Sequence, residues 1–202
     1  MKTKEKIINV SIDLFSKHGY NGVSIRDITK IVGIRASSLY KHFNSKEELL
    51  NTIFNIFLDA NNQSNLSEQE LSEILMNYDL LNFLKTAIES FFRDMENPTL
   101  EKIFRILMNE QFRIEKARNL IVNELISKPT LVYSIAFREK LKNKFSDYDL
   151  LAREYHYPLY AMAYEYSIKR FDNKPSSKFK EQMFEHIDFF YNNILMKKQL
   201  KK

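Results

Sequence analysis

The chain has 202 residues, 44% of them apolar, which allows a packed core and excludes a globally disordered chain. It contains no cysteine, so a disulfide framework and zinc–thiolate sites are excluded. The net charge of +5 is uneven: residues 1–50 carry 9 Lys/Arg against 5 Asp/Glu, and residues 51–202 carry 22 against 21. A positive excess confined to the first quarter of a chain attracts phosphate polymers.

The opening segment, MKTKEKIINVSIDLF, alternates charged and apolar residues and lacks the core of a signal peptide. No apolar run approaches the roughly 18 residues that span a bilayer. The expectation is a soluble, cytoplasmic protein with no membrane partner. Glycine occurs only at Gly19, Gly22 and Gly33, and beyond them the tight turns of β-hairpins are hard to make. Apolar residues there recur at helical spacing, so the chain is predicted to be all-α.

The first predicted helix spans 3–18, with Ile7, Ser11, Leu14 and Phe15 on one face. Lys17 and His18 suit its negative end, and Gly19 suits the position just past it. The second starts at Ser24, where Asp27 completes a capping-box pattern and Val23 can staple onto Ile28. It ends near Val32, and Gly33 makes the turn. The third, 36–43, is too short to stand alone. Leu39 and Phe43 would face inward. Arg35, Ala36, Ser37, Ser38, Tyr40, Lys41 and His42 would face outward, a set that can approach a major groove and reach bases or phosphates. The fourth starts at Ser45, with Glu48 as reciprocal cap, and runs to about residue 60. Residues 61–70 read as a polar connection. Further helices are expected near 67–95, 99–126, 130–145, 148–171 and 177–197, the first two divisible. Pro98 and Pro129 sit at helix starts, and Pro158 inside a helix should kink it.

From Lys4 to Leu50 the sequence resembles the tetracycline-repressor (TetR) family. The strings IDLFSKHGY, NGVSIRDITKIVGI and SSLYKHFNSKEELL carry the resemblance, the last being the most specific. It implies a helix-turn-helix DNA-binding domain at residues 1–48 and a larger helical ligand-sensing and dimerisation domain at 49–202. It implies phosphate contacts from Ser24 and Arg26, base-facing positions at Arg35 to Ser38, and backbone contacts from Tyr40, His42 and Lys46, with Lys41 on the same face. Arg35 stands where the family often has a Ser or Thr cap, and could read guanine or hold phosphate. Ser24 and Ser45 are also explained as caps alone, and Tyr40 as packing.

The rest of the chain has no motif of that force. Its dense aromatics could line a pocket for an unidentified small-molecule effector, with Phe83, Phe104, Phe112, Tyr133, Tyr160 and Tyr164 as candidates, although aromatics more often fill ordinary cores. The last two helices are apolar on a wide face. Leu159, Met162, Tyr166, Met183, Ile187, Phe190, Tyr191 and Ile194 are therefore expected to pair with a second copy. The alternative is one thick core within a single subunit. No protease, P-loop, nucleophile-elbow or dinucleotide motif occurs. Glu154 with His156, and Glu181 and Glu185 with His186, could bind metal on paper but read better as surface charge pairs. No catalytic residue, metal or cofactor is expected. The function implied is a homodimeric regulator, a repressor released from a palindromic double-stranded DNA operator by a small molecule. A DNA-binding adaptor controlled by a protein partner is the alternative, and an enzyme on a borrowed scaffold a third.

Overall fold

The structure, a computed structural model, describes residues 2–62 and 68–197. Every regular element among them is helical. In chain order these are α1 (Thr3–His18), α2 (Ile25–Val32), α3 (Ala36–Tyr40), α4 (Lys46–Asn62), α5 (Glu68–Asn77), α6 (Leu80–Glu96), α7 (Pro98–Glu110), α8 (Glu115–Leu120), α9 (Lys128–Lys140), α10 (Tyr148–Phe171) and α11 (Ser177–Phe190). Two π-helical turns, Ile121–Ser127 and Tyr191–Leu195, follow α8 and α11. Residues 63–67 of the predicted connection lie outside the described residues, and 61, 62 and 68–70 are helical rather than loop.

The chain forms two compact units, Met1–Ser64 with Glu96–Ile121, and Asn65–Met95 with Val122–Lys202. The first unit is larger than the expected 1–48, because α4, α7 and α8 join the three N-terminal helices. Its core holds Ile7, Ile12 and Phe15 from α1, Ile28 and Val32 from α2, Leu39 and Phe43 around α3, and Leu49, Leu50, Ile53 and Phe54 from α4. Ile103, Ile106 and Leu107 of α7 complete it, with α7 packed on α1 and α4. The Lys6 ammonium donates to the Val32 carbonyl at 2.9 Å, closing the C-terminus of α2. Gly22 cannot be another residue without movement, since a Cβ there would lie 2.3 Å from the His18 main-chain oxygen.

The second unit is built on α10, which packs against α9 and α11, while α5 packs on α9. α10 begins at Asp147, whose carboxylate accepts the Leu150 N–H at 2.8 Å, and it runs unbroken through Pro158. Rings interlock along it. Tyr133 and Tyr155 meet edge to face at 4.8 Å, Phe137 stacks on Phe190 at 6.2 Å, and Phe92 meets Tyr166 at 5.1 Å.

By length and composition alone, the helical run Glu115–Lys140 could cross a membrane. Glu124 and Lys128 interrupt it and pair at 3.1 Å. Its residues Tyr133, Ile135, Ala136 and Phe137 are buried, as in a core helix.

The expected pocket residues do not share one site. Phe104 and Phe112 belong to the first unit, and Phe112, at the break between α7 and α8, is 85% exposed. Tyr164 is also exposed, whereas Phe83 and Tyr133 meet at 6.4 Å and Tyr160 lies 6.5 Å from His156.

Five of the eight expected pairing residues are buried. Leu159, Tyr166, Met183, Ile187 and Phe190 are buried within the single chain, and Met162, Tyr191 and Ile194 are half-buried. α10 is apolar on two faces, so periodicity alone could not tell which of them packs inside. Its outer face carries Leu150, Tyr157, Ala161, Tyr164 and Ile168, all exposed.

Candidate nucleic-acid interface

The interface is the outer surface of α2 and α3 with the turns around them. α2 opens on the predicted capping box. The Asp27 N–H donates to Ser24 Oγ at 3.2 Å, and the Ser24 N–H and hydroxyl donate to Asp27 Oδ2 at 2.8 and 2.6 Å. These bonds, the hydroxyl's first, hold the Asp27 carboxyl below its usual range. The Ser24 hydroxyl is thus already engaged, and it reaches phosphate only by turning from Asp27. The first amides of a helix have no intrahelical acceptor, so this end still presents N–H groups and positive potential.

Gly33 takes a left-handed conformation at φ 79°, and its N–H donates to the Thr29 carbonyl at 2.9 Å, turning the chain toward α3. α3 is shorter than predicted, ending at Tyr40. Lys41 and His42 lie in a turn, and the His42 and Phe43 amides both donate to the Leu39 carbonyl. Arg35 occupies the cap position with no side-chain cap bond. Leu39 and Phe43 are buried and hold the short helix against the core.

The outward set is where the pattern placed it. Arg35, Ala36, Ser37, Tyr40, Lys41 and His42 are exposed and Ser38 half-buried, with Ser24 and Arg26 exposed at the start of α2. Among the described residues, Arg26, Arg35 and Lys41 make no ion pair, although Lys102 and Lys128 elsewhere in the chain do. Among the described residues, three cations without an ion pair therefore flank a run of small side chains.

Lys46 is placed differently from expectation. Its ammonium donates to the Tyr20 and Val23 carbonyls, each at 2.8 Å, and sits 4.1 Å from the centre of the Tyr20 ring. Burial lowers its pKa, and the Glu110 charge opposes that shift. Lys46 clamps the α1–α2 loop rather than pointing at phosphate. At the start of α4, the Glu48 N–H donates to Ser45 Oγ at 3.0 Å, as predicted, but the Glu48 carboxylate reaches back to Asn44, one residue earlier than expected. Glu110, absent from the sequence reading, also meets this loop. The Tyr20 N–H donates to its Oε1 at 2.8 Å. The partners are 90 residues apart, so no local pattern announces them.

A helix-turn-helix with a solvent-facing second helix, small and basic on its outer side, defines a class of DNA-binding proteins. Residues 7–53 match the family described as "Bacterial regulatory proteins, tetR family". The biofilm operon icaADBC HTH-type negative transcriptional regulator IcaR of Staphylococcus epidermidis is 39% identical over 82 residues, covering 37% of this chain and 44% of that protein. Its Staphylococcus aureus (strain Newman) counterpart is 37% identical over 83 residues, covering 37% and 45%. The matches thus span less than half the length of these curated relatives.

The likeness in fold runs further. A transcriptional regulator (TerR/AcrR family) from Aquifex aeolicus VF5 aligns over 94% of this chain and 99% of its own, with a TM-score of 0.63 and 21% identity. A Saccharomonospora viridis protein, classed among transcriptional regulators and solved in complex with choline, aligns over 95% and 96% with a TM-score of 0.60 and 16% identity. The fold throughout is that of these regulators.

Proposed function

We propose that this protein is a homodimeric DNA-binding transcription regulator, acting as a repressor on a roughly palindromic operator. The observation that carries the reading is the outer face of α3 and its flanks. Ala36, Ser37 and Ser38 allow close approach to base edges, while Arg26, Arg35 and Lys41 make no ion pair among the described residues. Ser24, Tyr40 and His42 are the further contacts. Repression is supported by the staphylococcal relatives, whose names describe negative regulators.

Two recognition helices on a dimer would fall about one DNA turn apart, ~34–36 Å. The outer face of α10 suits the pairing. Leu150, Glu154, Tyr157, Ala161, Tyr164 and Ile168 recur at alternating spacings of four and three, the seam of one helix against another. With Phe189 of α11, 58% exposed, the apolar members form a self-complementary surface of the kind a two-fold interface uses.

A small-molecule effector is supported by the interior of the second unit. The Tyr155 hydroxyl is buried there without a hydrogen-bond partner, and the Tyr155 ring meets those of Tyr133, Phe137 and Phe190. The structural neighbour that holds choline gives a first probe to try. Choline and its uncharged isostere 3,3-dimethylbutanol can be compared by thermal shift. A rise with neither, repeated across a neutral-metabolite library, removes the effector from the reading.

The direct test is selection of duplexes from a random-sequence library, followed by gel shift against excess non-specific DNA. Competitor-resistant binding to a two-fold symmetric sequence is expected. Enrichment of no sequence overturns the reading.

A further inference from the structure

We propose that Glu110 is a positioning residue for DNA recognition: from α7 it fixes the α1–α2 loop, and with it the start of α2, where Ser24 and Arg26 meet phosphate. The proposal rests on the DNA-binding reading above.

The loop is held from two sides by groups of opposite sign. Lys46 of α4 takes its carbonyls, those of Tyr20 and Val23, and Glu110 of α7 takes an amide, that of Tyr20. Gly19 is fitted to this arrangement. It has a φ of +72°, and a Cβ there would lie 3.2 Å from Glu110 Oε1. The Glu110 side chain sits at the end of α7 and is 1% exposed, with Oε2 buried and without a partner.

A buried carboxylate bonded through one oxygen is a poor choice for stability. What the carboxylate supplies is an acceptor at one point, for one amide, at the entrance to α2. A displacement of about 1 Å takes a 2.8 Å bond out of range. The loop's position is therefore tied to α7, and Ser24 lies only four residues beyond Tyr20.

Two variants of the full chain separate positioning from packing. Glu110→Gln keeps an oxygen for the Tyr20 N–H, and Glu110→Leu keeps the bulk and removes the acceptor. The readouts are amide exchange at Tyr20, thermal stability, and affinity for the duplex that the wild-type chain selects from a random-sequence library. Glu110→Leu should still fold, with a single cooperative thermal transition, yet exchange Tyr20 at least about tenfold faster and bind about tenfold more weakly. Glu110→Gln should stay within about threefold of wild type in both exchange and binding.

Wild-type exchange and affinity in Glu110→Leu overturn the proposal. So does a Glu110→Gln variant as impaired as Glu110→Leu, because charge rather than the placed acceptor would then be what matters. A wild-type chain that protects Tyr20 but selects no duplex overturns the DNA-binding reading itself, an outcome distinct from both.

Discussion

An ammonium 2.8 Å from two main-chain carbonyls and 4.1 Å from a ring has little left for phosphate, and Lys46 should behave accordingly. Lys46→Met is expected to cost about 2 kcal/mol of stability, as charged hydrogen bonds do, while leaving the salt dependence of DNA binding near wild type. Lys41→Ala, on an exposed cation with no ion-pair partner, should do the reverse and lower the slope of log K against log salt by about one. Chemical denaturation and salt-titrated gel shifts distinguish the two. Residue identity alone could not, since both are lysines beside a recognition helix, and only the fold shows that one points inward. A second residue-scale effect belongs to His156. Its Nδ1 meets Thr130 Oγ1 at 2.9 Å, and the Thr130 hydroxyl donates to the Ile126 carbonyl, so the ring nitrogen donates to Thr130. Burial lowers its pKa from 6.5 to about 4. The unfolded chain then binds more protons between those values. The stabilising contribution is complete above about pH 6.5 and is lost as the pH falls toward 4. His156→Asn should flatten the stability profile over that window, as pH-dependent urea melts would show.

α2 and α3 are the elements where sequence pattern and structure agree best. The Ser24–Asp27 capping box, the Gly33 turn, and the inward Leu39 and Phe43 are all local signals, fixed within four residues, and each forms as written. The exposed positions of α3 follow from the same period. What the pattern missed is non-local or energetic. α3 stops at Tyr40 because Lys41 and His42 turn to bury Phe43, and Glu110 joins the site across 90 residues. Arg35 is the informative position within this element. Exposed, and with no cap bond to make, it reaches either a guanine edge or a phosphate. Arg35→Ala is expected to change the ranking among selected duplex variants, costing about 1–3 kcal/mol on the preferred one and less on the others. Equal weakening on all of them assigns Arg35 to phosphate.

For the molecule as a whole, pairing and architecture were only partly legible. The α10 boundaries, 148–171, follow from composition and period, but α10 is apolar on two faces, and nothing local says that Leu159 and Tyr166 face inward while Tyr164 and Ile168 face out. The outer seam gives a specific expectation. Tyr164→Glu with Ile168→Glu should yield a folded monomer by sedimentation, with its helical spectrum intact and binding to a symmetric operator weakened at least about a hundredfold. Glu substitutions at buried Met183 should instead unfold the chain. One feature of the first unit reaches beyond this protein. Its core is closed by α7, which arrives from residues 98–110, and its α1–α2 loop is bonded to Glu110. The reading head is therefore not a cassette that can be cut off after α4 and spliced to a foreign sensor. A transplant that keeps its grip on DNA must carry residues 96–121 along with the first helices, and a designer of hybrid switches should place the seam after α8.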